Sequence, residues 1–171
     1  SNKGVVMIIE VNISFDEQKV IDEISTLDLQ PGHSNNYWRA PTEEMKQFWY
    51  KTDTWLKTII EDTSNLPEIA RLNSILECDI MYVYKQLANS ELPKHRDHDI
   101  ITAVNLLLTE DRAPMTFDEG PGDVYYKHAL IDVSQPHSVR AHPKDRLLLK
   151  YAWHKKTFEE VKSELTEKGL K

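Results

Sequence analysis

The chain has 171 residues, which suits one domain able to bury roughly two-thirds of its unfolded surface. Its composition, 40% hydrophobic and 29% charged, is that of an ordinary globular protein, and a net charge of −7 weighs against the broad electropositive footprint of non-specific nucleic-acid binding. Cys78 is the only cysteine, which excludes an internal disulfide and a cysteine-rich zinc site and suits a reducing, cytoplasmic setting.

No apolar run reaches the ~20 residues needed to span a bilayer, and no signal-peptide pattern opens the chain. Val5 to Ile13 is β-rich and predicts an opening strand. Ser14 reads as a helix N-cap with Glu17 completing a capping box, and Val20, Ile21, Ile24 and Leu27 give that helix an apolar face. Pro31-Gly32 and Asn35-Asn36 place Leu29 to Ala40 in a loop. A longer helix is predicted from Thr42, with Glu43 and Glu44 in its first turn. Met45, Phe48, Trp49, Trp55, Leu56, Ile59 and Ile60 form its apolar stripe, read as a face packed on a sheet. A shorter helix spans about Pro67 to Leu76 and buries Ile69, Leu72 and Ile75.

From Asp79 the hydrophobic period changes to two. Strands are predicted over Ile80 to Gln86, Ile100 to Leu108, Met115 to Phe117, Val124 to Val133, His137 to Ala141 and Leu147 to Trp153. Turn signals stand at Pro93, Pro114, Gly120-Pro121-Gly122, Pro136 and Pro143. Thr157 and Glu160 make a second capping box, opening a final helix with Phe158, Val161 and Leu165. The reading is a single α+β domain: helical support over 1–78, a β core over 79–156 and a C-terminal helix over 157–171. Helices against one side of many short strands predict a barrel-like or jelly-roll core.

Within the β half, His95-Arg96-Asp97 is followed by His137 and then, nine residues on, by Arg146. Residues i and i+2 of an extended chain point the same way, so His95 and Asp97 can reach one ion. A rolled sheet can bring His137 to it from a distant strand. Two imidazoles and a carboxylate suit Fe(II) and can leave metal positions open. Asp99 is an alternative carboxylate; Asp97 makes the shorter chelate, which leaves His98 and Asp99 as supporting or solvated groups. His33, His128 and His154 have no visible partners and read as surface or structural.

The stretch Tyr82 to Trp153 resembles the Fe(II)/2-oxoglutarate-dependent oxygenases, in particular the prolyl-hydroxylase-like branch. The matching features are Tyr84 eleven residues before His95, His95-x-Asp97, Leu106-Leu107-Leu108, Gly122-Asp123-Val124, His137-Ser138-Val139, Arg146 and Trp153. The resemblance implies a double-stranded β-helix (jelly roll, cupin-like) with supporting N-terminal helices. It implies Fe(II) held by His95, Asp97 and His137, with Arg146 pairing bidentately with the distal carboxylate of 2-oxoglutarate. Tyr84 donates to the same carboxylate and Asn105 points into the cavity. The implied reaction couples oxidative decarboxylation of the cosubstrate to hydroxylation of a peptide, protein side chain or small polar molecule. The chain departs from the family pattern at Glu110 to Met115, where a Gly-Gly-x-Leu type turn often stands, and at Leu147-Leu148 after Arg146.

Some alternatives remain open. Arg140, three residues past His137, rivals Arg146 as the anchor, and Arg140, His142 and Lys144 can form a local basic strip. The Tyr37-Trp38-Arg39 loop reads either as part of a lid or as cover for the core edge. A cupin-like metalloenzyme that does not use 2-oxoglutarate would keep the three ligands and not need Arg146. A non-enzymatic β-sandwich binding module would make the histidines incidental.

Overall fold

Short strands cannot each bury an apolar face alone, and here they do so by alternating between two facing antiparallel sheets. The structure, a computed structural model, describes residues 7–31, 43, 54–97, 99–109, 112–117 and 119–171. The large sheet contains β1 (Ile8–Glu10), β2 (Gln30–Pro31), β3 (Trp55–Ile60), β4 (Ile80–Gln86), β6 (Thr102–Leu107), β9 (His128–Asp132) and β11 (Arg146–Trp153). Their order is β1-β9-β6-β11-β4-β3-β2. The small sheet contains β5 (Leu92–His95), β7 (Ala113–Phe117), β8 (Gly122–Tyr126) and β10 (His137–Val139), in the order β5-β10-β7-β8. From β4 to β11 the chain crosses repeatedly from one sheet to the other, which is the jelly-roll interleaving expected from the sequence.

Strand β11 shows how one strand serves two cores. Leu147, Leu149, Tyr151 and Trp153 face a layer built from α1 (Glu17–Ile24), α2 (Pro67–Leu76) and α3 (Phe158–Glu167). Leu148 and Ala152 face the small sheet, where Met115, Phe117 and Tyr126 meet Ala103, Leu107 and Ile131. The alternation follows from the two-residue period of a strand. The Tyr151 hydroxyl donates to the Ile69 carbonyl at 2.9 Å, and Trp153 Nε1 donates to the Glu77 carbonyl at 3.1 Å, pinning α2 to the sheet.

The helices are also tied to each other. Leu66, which precedes α2, supplies no side-chain cap. Instead the buried carboxylate of Glu23 on α1 accepts the N–H groups of Glu68 at 2.9 Å and Ile69 at 3.0 Å. That satisfies two donors that an α-helix leaves without intrahelical partners at its start. In return Glu68 accepts the Asp16 N–H at 2.9 Å, and Arg71, followed by that N–H, holds the Glu68 carboxyl down at about 2.

Several boundaries differ from expectation. The cap of α1 is Asp16, which accepts from the Lys19 N–H at 3.0 Å, because the chain turns helical two residues later than Ser14 predicts. Of the helix expected from Thr42, Glu43 is helical and residues 44–53 lie outside the described residues, as does the Tyr37-Trp38-Arg39 loop. Trp55 to Ile60, expected at its end, is instead strand β3, paired with β4 along its whole length. Residues 1–78 therefore contribute strands to the large sheet as well as helices. Pro93 lies inside β5, an edge strand that tolerates a missing donor, and Pro114 in β7 lies beyond the stretch paired with β10. The strand expected over Val124 to Val133 breaks at Lys127, where the chain leaves the small sheet for the large one. The Thr157/Glu160 capping box is present as expected.

Glu23→Ala should lower stability by about 2 kcal/mol, since it leaves two buried donors unpaired, and Glu23→Gln should lose less because one acceptor remains. Thr157→Ala should cost about 1 kcal/mol. Urea unfolding midpoints at constant m-value check the three variants.

Candidate metal centre

Antiparallel pairing of β5 with β10 sets His95 directly across from His137. Residues opposite one another on a strand pair project to the same face, and the two imidazole centroids lie 4.4 Å apart. Past β5 the chain turns, and the Asp97 N–H donates to the Val133 carbonyl at 3.1 Å. This brings Asp97 Oδ1 to 3.1 Å from His95 Nε2 and 3.2 Å from His137 Nε2. One ligand atom from each of the three residues lies within 4.8 Å of the others. His137 is buried, with the fully buried Phe117 ring 6.1 Å from its own.

Ring orientation follows from the outer nitrogens. His95 Nδ1 is 2.7 Å from the Pro93 carbonyl, and His137 Nδ1 is 2.7 Å from the Gln135 carbonyl. A carbonyl oxygen only accepts, so each Nδ1 carries the proton and each neutral ring presents its Nε2 lone pair. Three acceptors then converge without a donor among them, and one cation satisfies all three. Ligand atoms about 2.1 Å from a metal and at right angles to each other lie about 3 Å apart, close to the two measured separations. Both separations involving Asp97 therefore already suit a resident Fe(II). Cys78 is no competitor: burial pushes its thiol up to about 11, and its Sγ donates to the Ile80 carbonyl.

The inner face of the large sheet supplies the rest of the cavity. Reading across the register, one row holds Ile59, Tyr82, Lys150, Asn105 and Ala129, and the next holds Lys57, Tyr84, Leu148 and Leu107. Arg146 lies opposite Gln86 in a third row. Lys150 Nζ donates to Asp97 Oδ2 at 3.1 Å and also stands 5.3 Å from the Tyr84 ring centroid. Burial alone would raise the Asp97 pKa, but the charge of Lys150 holds its carboxyl well below the ordinary carboxylate range. The lysine thus occupies one carboxylate oxygen and leaves the other facing the histidines.

Tyr84 sits in this wall with its phenol pushed well above its usual range, first by burial and then by Asp97. Asn105 is buried and its Nδ2 donates to the Tyr126 hydroxyl at 3.2 Å, while its Oδ1 has no partner. Burial also pushes Tyr126 up to about 12, against an opposing pull from Asn105 and Arg146. Arg146 itself is 6% exposed, its Nε has no partner, and it makes no ion pair among the described residues. Burial lowers its pKa. A buried guanidinium without a counter-charge is costly, and a bound carboxylate relieves that cost.

The other residues singled out in the sequence fall away from the cavity. Arg140 turns to the exposed face of the small sheet, where it pairs with Asp123 at 2.8 Å and donates to the Tyr125 hydroxyl at 3.1 Å. Asp99 is exposed, and its carbonyl lies 2.6 Å from His154 Nδ1. His128 packs against Phe15 at 5.0 Å. His33 and His98 lie outside the described residues. Sequence reading missed Lys150 and Tyr126. The available signal was strand parity, since Lys150 shares a face with Arg146 in a strand that otherwise looks apolar.

No family model matches the chain, and no curated protein matches it. Solved structures do. A prolyl hydroxylase from Trichoplax adhaerens, in complex with a hypoxia inducible factor oxygen degradation domain peptide fragment, matches with a TM-score of 0.59 at 11% identity, covering 94% of this chain and 85% of that one. A 2OG-Fe(II) oxygenase family oxidoreductase from Burkholderia pseudomallei matches at 0.56 and 13% identity, over 85% and 83%. The viral collagen prolyl hydroxylase from Paramecium Bursaria Chlorella virus-1, in its 2OG complex, matches at 0.53 and 9% identity, over 86% and 96%. The chain shares its fold with these oxygenases.

Lys150→Met leaves the Asp97 charge with one counter-charge fewer. It should destabilise the metal-free protein by roughly 3 kcal/mol. Saturating Zn(II) should restore more stability to the variant than it adds to the parent, because the ion takes over as counter-charge. Urea unfolding with and without metal checks both parts.

Proposed function

We propose that this chain is a non-haem Fe(II)- and 2-oxoglutarate-dependent dioxygenase that hydroxylates a peptide, a protein side chain or a small polar molecule. The observation that carries the reading is a pair of unmet demands on two facing sheets. Three acceptor atoms converge where a cation fits, and Arg146 is buried on the facing sheet with no ion pair among the described residues. A cupin-like metalloenzyme that does not use 2-oxoglutarate gives Arg146 nothing to do. A binding module gives no reason to bury Lys150, Asn105, Arg146 and His137 between two sheets.

His95, Asp97 and His137 would hold the metal, and Arg146 would receive the distal carboxylate of the cosubstrate in a bidentate pair. The Tyr84 phenol, which makes no hydrogen bond among the described residues, is free to donate to that carboxylate. Asn105, fixed by Tyr126, would orient polar groups at the cavity floor. Fe(II), 2-oxoglutarate and O₂, when bound, would supply the chemistry to hydroxylate an unactivated C–H bond: O₂ is the oxidant, one of its oxygen atoms going to the substrate hydroxyl and the other to the succinate left when 2-oxoglutarate loses CO₂. The chain's part is geometry and dryness. The Pro93 and Gln135 carbonyls fix both imidazoles, Lys150 fixes Asp97, and Leu107, Leu148 and Phe117 keep water from the inner face. No protein general base is required.

The solved peptide complex of the Trichoplax prolyl hydroxylase supports a peptide or protein substrate. We read the chain as a single functional domain over 1–171. No helix among the described residues is long and apolar enough to cross a membrane, and the lone cysteine suits a reducing compartment such as the cytoplasm.

With Fe(II) and 2-oxoglutarate the protein should release succinate slowly without added substrate. His95→Ala and Asp97→Ala should abolish this while retaining the parental circular dichroism. Arg146→Ala should raise the KM for 2-oxoglutarate at least about 30-fold, the loss expected for truncating one side of a buried charged pair. Under anaerobic conditions the parent should develop a weak visible charge-transfer band that Arg146→Ala diminishes. Parental succinate release by both ligand variants would sink the assignment.

A further inference from the structure

Lys57 is a cation with no assigned duty. It lies on β3 opposite Tyr84, with its Nζ 5.7 Å from the Tyr82 ring centroid, on the same inner face as Lys150. It forms no ion pair among the described residues. Burial lowers its pKa first, and the charge of Lys150 lowers it further. Among the described residues, the groups around it offer no free anion. Lys150 is committed to Asp97, Gln30 opposite it on β2 is neutral, and Asp99 influences Tyr82 without pairing with Lys57. Two ammonium groups therefore share one half-buried wall that holds a single committed carboxylate. Beside Lys57, Ile59 is 42% exposed, directly across from Tyr82.

Filling the site brings no counter-charge for Lys57, since the metal and the dianionic cosubstrate offset each other. On the oxygenase reading, a divalent metal draws on Asp97, and the two carboxylates of 2-oxoglutarate answer the metal and Arg146. Lys57 is then the inner-face cation left without a counter-charge. Its position over an aromatic ring, next to an exposed aliphatic side chain, suits a ligand with an apolar stem and an anionic head.

We propose that Lys57, with Tyr82 and Ile59, forms the recognition site for a side-chain carboxylate of the substrate, so that the substrate is a free acidic amino acid or an acidic residue within a peptide. This rests on the oxygenase reading for the site it adjoins. Lys57 is a specificity-determining residue here and takes no part in the reaction at the metal.

The test uses the full chain loaded with Zn(II), which holds the site without turnover, and saturating 2-oxoglutarate. Ligand-observed NMR measures binding of aspartate, glutamate, asparagine, glutamine and lysine, and of blocked tripeptides with aspartate, asparagine or lysine at the centre. Acidic probes should bind at least about tenfold more tightly than their amides, the factor expected for one partly desolvated charged pair. The free amino acids and the blocked tripeptides separate the two sources of the carboxylate. Lys57→Gln should erase that preference, and Lys57→Glu should turn it toward the lysine probes. Equal binding of acids and amides by the parent overturns the proposal, as does a failure of every probe to bind or a preference unchanged by Lys57→Gln. Succinate release by the parent Fe(II) protein is measured separately. Acid binding through Lys57 without any succinate would retain the carboxylate site and discard the oxygenase reading.

Discussion

The register that places His95 opposite His137 is the constraint on which the rest of the site depends. Slipping one strand by a single residue would carry its histidine to the other face of the small sheet. The register is held from several sides. β10 also pairs with β7, setting His137 opposite the fully buried Phe117. Asp97 is anchored to the Val133 carbonyl, and each imidazole is tied to a carbonyl two residues before it. None of these bonds involves a long flexible side chain, so the two imidazoles and the Asp97 backbone are positioned by backbone carbonyls, and only the Asp97 carboxylate depends on a side chain, that of Lys150.

The large sheet separates stability from chemistry by strand parity. Its outer face is apolar and carries the helices, whose own docking is reinforced by Glu23 and Tyr151. Its inner face can then hold Lys150, Arg146 and Asn105, which cost stability when buried. Leu149 and Lys150 are sequence neighbours with opposite assignments, one packed against helices and the other against a carboxylate. Arg140 and Arg146 make the same contrast. Only six residues apart, one is spent on Asp123 at the surface and the other faces inward, its Nε unpaired and with no ion pair among the described residues.

What could be read from the sequence was what local chemistry decides. The Thr157/Glu160 capping box, the α2 boundaries and the period-two strands follow from neighbours within a few positions. The triad was legible because His95-x-Asp97 needs only strand-like parity. β3 was not, because Trp55, Leu56, Ile59 and Ile60 satisfy a helical spacing as well as an edge strand does. Pairing with β4, a contact distant in sequence, decides the matter. β5 was hidden by Pro93, which is read as a turn unless the strand is known to lie at a sheet edge. Lys150 stayed invisible because a lone lysine in a strand of leucines reads as solvent-facing. Its partner Asp97 is fifty-three residues away.

Charge shows most clearly how scale decides a reading. The net charge of −7 argues against nucleic acid because binding a polyanion needs an extended positive field over many phosphates. The same number says little about a small anion. At physiological ionic strength, exposed charges are largely screened beyond about 8 Å, so most of the acidic surface is not felt within the cavity. Contacts at about 3 Å in a poorly solvated pocket act on a different scale, worth several times more per pair than in bulk water. An acidic protein can thus carry cationic groups such as Lys57 and Arg146 on the inner wall of its large sheet. The overall charge then disfavours non-specific association with extended polyanions without deciding how small anionic groups are met, which is a matter of local contacts.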